Sequence, residues 1–187
     1  MSRISLFAAA LLVAAIAVPL AADRASHDFE GHTFSLQLPA GYGPLANANP
    51  APGVGTFGFT TDPRSDGTRG MIQVSLFDFA QRPVVETVSL DTFADAMIAG
   101  VRRQRSRWEQ TDSEVQIGGV RARRIEWTGA TEPGFGRPPV TMRGVMIVGI
   151  TKELGFSLHT QDVVAFADTT LPLCEQALQT FTLSQRR

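Results

Sequence analysis

The sequence is short of the residues that would announce a cross-linked or metal-bound scaffold: its 187 residues include one cysteine, Cys174. A single thiol excludes an internal disulfide framework and any paired-cysteine metal site. Lysine is equally scarce, with Lys152 alone, and 17 basic residues against 18 acidic ones leave a net charge of -1. No basic excess therefore remains to hold nucleic acid. No glycine-rich loop joins a strand to a helix and no G-x-S-x-G elbow occurs, which removes two common enzyme signatures. What is there is ordinary for one soluble globular domain, at 43% hydrophobic and 19% charged residues, and excludes a disordered or collagen-like chain.

Residues 1–22 have the layout of a secretory signal peptide: Arg3, an apolar run from Ile4 to Val18, then Pro19 ahead of small residues. The uncharged stretch Ile4–Ala22 is 19 residues long and eight of them are alanine. A stable span needs about 20 predominantly apolar residues, so cleavage after Ala22 is expected rather than anchoring. That would leave one domain over 23–187 with no stable membrane span. The preference for arginine over lysine, with the alanine load, is a GC-rich bacterial bias, and export then means the periplasm or the medium.

Hydrophobic periodicity orders the rest. Thr33–Leu38 alternates with Phe34, Leu36 and Leu38 on one side, as a half-buried strand does. Pro44–Gly55 reads as loop, Phe57 and Phe59 as a short strand, and Met71–Phe79 as a third. Leu90, Phe93, Ala94, Met97, Ile98 and Val101 follow helical spacing, Trp108 continues the stripe, and Ser89 is the expected N-cap. Arginines 102, 103, 105 and 107 are then expected at the end of this helix. Gly118-Gly119 is a hairpin signal between Ser113–Ile117 and Val120–Thr128. After a loop at 131–139, Val140–Thr151 forms a strand apolar on both faces at Val145–Val148, and Leu154–Leu158 closes a last hairpin. Ala167, Leu171, Cys174, Leu178 and Phe181 mark a final helix, with a break expected near Thr169–Pro172 because proline lacks an N–H. Three strands, a helix, four strands and a helix imply an α+β fold: a largely antiparallel sheet of about seven strands flanked by two helices.

Three segments carry a resemblance. Phe34–Tyr42 looks like an opening strand, proline and aromatic turn; Gly118–Ala122 like a glycine-turned middle hairpin; Leu154–Leu158 with Gln179-Thr180-Phe181 like a final hairpin and helix. In this pattern, over about residues 28 to 183, the chain resembles the PsbP-like family, which includes bacterial secreted proteins of the DcrB type. The resemblance implies an α-β-α sandwich and a binding or assembly role; the family has no common catalytic constellation to carry over.

The candidate chemistry is sparse. His27, Asp28, Glu30 and His32 could be imagined around a metal, but no second cluster completes the set, and incidental histidines on a solvated strand are the better reading. Ser157 and His159 share a strand face about 7 Å apart, too far for a nucleophile and its base. Glu153, Asp162 and Asp168 fall in or beside turns. Cys174 belongs to the core on its helical stripe. Arginine remains, and Arg103, Arg107, Arg121 and Arg123 are the candidate anion- or partner-binding residues if hairpin and helix end converge. Guanidinium forks suit carboxylates and phosphates, although nearby Glu109, Asp112, Glu114 and Glu126 could neutralise them. Arg105 lies nearer the apolar stripe and is expected to pack there. The expectation is an exported, non-catalytic binding or assembly factor of the bacterial envelope, without catalytic residues, metal or cofactor. Its partner would be a protein or an anionic envelope component. The alternative is an envelope enzyme or metal carrier with an unrecognised site.

Overall fold

The computed structural model describes residues 23–45, 51–81, 89–131 and 138–185. The expected leader lies outside the described residues, as do residues 46–50 and 132–137 within the two expected loops. Two sheets form. Strands β1 (Arg24–Phe29), β2 (His32–Gln37) and β10 (Thr182–Gln185) make a small sheet in the order β1-β2-β10. The large sheet is antiparallel, ordered β3-β4-β5-β9-β8-β7-β6. Its strands are β3 (Tyr42–Leu45), β4 (Val54–Thr61), β5 (Met71–Asp78), β6 (Arg105–Ile117), β7 (Val120–Thr131), β8 (Thr141–Ile150) and β9 (Leu154–Val163). Helix α1 (Leu90–Arg102) lies between β5 and β6, and α2 (Val164–Gln179) between β9 and β10.

The expected α+β architecture and the seven-stranded sheet are present, but the membership differs. The Thr33–Leu38 strand pairs with β1 and β10 instead of the large sheet. The seventh place goes to β3, which contains Pro44. Proline is tolerated there because β3 is an edge strand, where a missing N–H breaks no ladder bond to a second neighbour. β3 and β10 escaped the sequence reading because each is short and polar or interrupted, whereas β1 falls on the solvated strand expected around His27.

Side-chain alternation splits the core in two. Ile72, Val74, Ile147, Phe156 and Leu158 face α2 and the small sheet, packing with Phe34, Leu36, Cys174 and Leu178. On the opposite face, Phe93, Ala94 and Ile98 of α1 pack on Ile125, Trp127, Met146 and Val148. Residues Gly144–Gly149 of β8 are buried throughout, as expected of a central strand covered on both sides. The β6–β7 hairpin turns through Gly118 and Gly119 at φ 56° and 80°, a left-handed pair that residues with a Cβ rarely adopt.

Both helices depart from expectation at one point. Ser89 does cap α1, accepting the Thr92 N–H at 3.2 Å. The helix stops at Arg102, however, and the next strand opens at Arg105, so Arg105, Arg107 and Trp108 are strand residues. Trp108 sits seven residues past Val101 and mimics a helical position; it is held instead by stacking on Trp127 at 5.0 Å between ring centroids. Helix α2 runs unbroken through Pro172. Pro172 and Asp168, whose carbonyl loses its i+4 donor, are both exposed, so water can serve the freed oxygen.

Candidate functional site

Helix α1 covers only part of its sheet face. Beside it, over β5 and β9, an open groove of about 410 Å³ remains. Strand alternation builds its floor: Gln73 and Ser75 point up from β5, and Ser157, His159 and Gln161 from β9. The register places Ser75 opposite Ser157 and Gln73 opposite His159. Met97, Gly100 and Val101 of α1 form one wall, with Met71 and Met146 at the base. Arg105 closes one end, because leaving the helix at Arg102 swings the first residue of β6 back toward β9.

Two ionisable groups belong to this groove. Arg105 is half-buried, donating to the Gln104 carbonyl at 3.0 Å and to Gln161 Oε1 at 3.3 Å, with its Nε unpartnered. Its guanidinium carbon lies 5.8 Å from the centre of the Trp127 ring, and burial lowers its pKa. His159 is 4% exposed and its Nε2 has no hydrogen-bond partner. Burial, followed by the nearby Arg105 charge, pushes its pKa down to about 4, so the ring is neutral near pH 7. The sequence offered His159 only as a base for Ser157, a pairing excluded by their separation along the strand. Arg105 was expected only to pack, and the signal that could have found it is a charged residue flanked by a tryptophan three positions on.

The other sequence candidates are placed as follows. Arg121 and Arg123 stand beside the N-terminal end of α1, whereas Arg103 caps its C-terminus, about 20 Å away for a 13-residue helix. Arg107 occupies the bulge of β6, at φ 50°. The two groups of arginines do not converge. Arg121 pairs with Glu114, and Arg123 contacts Asp95 at 2.7 Å and Asp112 at 3.3 Å. His27 lies against Phe57 and Phe34, while His32 approaches Glu153 at 3.5 Å. Among the described residues, no group of three or more His, Cys, Asp or Glu is placed to hold a metal ion. Asp162 is not beside a turn as expected: it is 1% exposed within β9, gripped by Arg64 at 2.8 and 2.6 Å. Cys174 is buried and donates to the Tyr42 hydroxyl at 3.1 Å; burial raises its thiol pKa.

With this architecture in view, two solved structures align over nearly the whole chain. LpqN of Mycobacterium tuberculosis, a protein involved in cell envelope biogenesis, superposes with TM-score 0.56 at 14% identity, over 88% of this chain and 92% of that one. Cyanobacterial PsbP (CyanoP) from Synechocystis sp. PCC 6803 gives TM-score 0.55 at 13% identity, over 91% and 96%. The chain has a PsbP-like fold. The likeness is one of architecture, since no family model and no curated protein matches the sequence. Within this PsbP-like domain, no described helix is long and apolar enough to cross a membrane.

Proposed function

We propose that this chain is an exported, non-catalytic binding or assembly factor of the bacterial cell envelope, whose working surface is the groove between α1 and strands β5 and β9. The observation that carries this reading is the composition of the groove. Its ionisable lining residues are one arginine and one histidine held neutral, with no carboxylate among its described walls. Acid–base chemistry needs a proton donor or acceptor poised near the working pH, and neither Arg105 nor His159 is. Hydrogen-bonding amides and hydroxyls beside methionines suit holding a ligand. The leader-like residues 1–22 and the envelope role of LpqN support the compartment.

The test is a photoreactive side chain at residue 100, on the open wall of the groove, activated in living bacterial cells. The expected result is a discrete crosslinked species in the envelope fraction, absent when the probe sits at exposed Leu173 on the outer side of α2. Intact mass of the purified protein should give an N-terminus at Asp23. Equal labelling from both probe positions, or a retained Met1 in the cytoplasm, would overturn the proposal.

A further inference from the structure

Among the described residues, five arginines are half-buried: Arg64, Arg105, Arg123, Arg124 and Arg143. Four of them reach an Asp or Glu oxygen at 2.9 Å or less. Arg105 is the exception, with two neutral oxygen acceptors and an unpartnered Nε. A cation drawn out of water without a counter-charge is costly unless something supplies one. Its guanidinium lies at the end of a groove whose described lining contains no acidic residue, so the charge that would complete it is an anion from outside the chain. The planar fork favours a carboxylate, which it can hold with two parallel bonds.

The rest of the groove restricts what carries that carboxylate. Gln73 donates to Ser75 Oγ at 3.1 Å, and Ser75 faces Ser157 across the strands. This gives the floor a line of neutral amides and hydroxyls. Such groups match hydroxyls, and an alkyl chain laid over them would strand them without water. Met97 in the wall and Met71 and Met146 at the base supply soft apolar contact, suited to the C–H face of a ring. The volume of about 410 Å³ falls within the range of small-molecule sites.

Resting on the reading of the chain as a binding factor, we propose that the groove binds a small hydroxylated carboxylate of the sugar-acid class. Arg105 holds the carboxylate, and the Gln73–Ser75–Ser157 floor takes the hydroxyls. Calorimetric titration of the full-length protein with D-glucuronate tests this, with glucose, octanoate and inorganic phosphate as comparators. Saturable glucuronate binding is expected, tighter than each comparator by about tenfold or more. Arg105→Gln should weaken it by a similar factor, with Arg105→Lys in between.

Gly100→Phe provides a block that does not depend on Arg105. A Cβ at Gly100 meets no atom within 4 Å, so the ring can enter the groove, and replacing a helical glycine does not cost helix stability. This variant should fold and lose binding. Absence of saturable binding, preference for a comparator, or binding that survives both Arg105→Gln and Gly100→Phe would overturn the proposal. A failed titration with persisting crosslinks from residue 100 removes the ligand class and leaves the proposed function standing. A successful titration without crosslinks supports the ligand class and removes a protein as the groove's occupant.

Discussion

Arg64 and Arg105 are both half-buried, both lie beside an aromatic ring, and both reach β9, at adjacent residues that point to opposite faces of the sheet. Arg64 stacks 4.1 Å from the centre of the Phe166 ring and grips Asp162 with both terminal guanidinium nitrogens. Asp162 also accepts from the Thr170 hydroxyl and the Val163 N–H, each at 2.8 Å. Every charge there is answered, under α2, with 1% of Asp162 exposed. Arg105 finds a neutral amide on Gln161, at 3.3 Å, in a groove that α1 leaves open. A network complete within the chain joins α2 to the sheet. One left incomplete beside an opening is a place for something else to bind.

The contrast predicts unequal responses to substitution. The largest belongs to Arg64→Ala, which strands Asp162 in the interior and should cost about 3–5 kcal/mol in denaturant unfolding. Arg105→Gln, by the same measurement, should cost much less, since no buried counter-charge is orphaned. Equal losses would erase the distinction between the two sites.

His159 provides the next largest effect, through pH. Its pKa near 4 in the folded chain lies below the ordinary value of 6.5. Between these values the unfolded chain binds the proton and the folded chain does not. Stability from this residue is therefore full above about pH 6.5 and lost as pH falls toward 4, by about 3 kcal/mol in all. The difference in stability between the parent protein and His159→Gln, followed from pH 7 to 4, should shrink accordingly. A constant difference would mean that the ring titrates alike in the folded and unfolded chains, and that burial does not lower its pKa.

Gly100→Ala should stabilise the protein by about 0.5–1 kcal/mol, because α1 gains helix propensity and the new methyl meets open space. A lower melting temperature would show that the groove wall is tighter than its geometry. The smallest effect is expected of Arg121→Gln. Its pairing with Glu114 joins two exposed side chains, so the melting temperature should stay within experimental scatter. A clear drop would make the β6–β7 hairpin charges structural, and the sharp division between paired and unpaired arginines would weaken.

Local features were legible because they are carried by neighbours in the chain. The cap at Ser89, the glycine turn at Gly118-Gly119 and the doubly apolar run of β8 each follow from spacings of a few residues. The burial of Cys174 follows from the stripe it shares with Leu171 and Leu178. The same logic misplaced Trp108, whose distance from Val101 fits a helix as well as it fits chance. It also broke α2 at Pro172, since sequence does not say that this face of the helix meets water.

The sequence by itself determined the class of fold, an antiparallel sheet with two helices, because alternation and helical periodicity report which side of each element is apolar. The tertiary structure alone decided which elements are neighbours. Arg64 meets Asp162 across 98 positions and Arg105 meets Gln161 across 56. Those meetings depend on strand order and on where a helix of limited length stops covering a sheet. Whether a given arginine is answered or left open is thus a property of the packed faces: the energy that decides it comes from groups brought together only after the chain has folded.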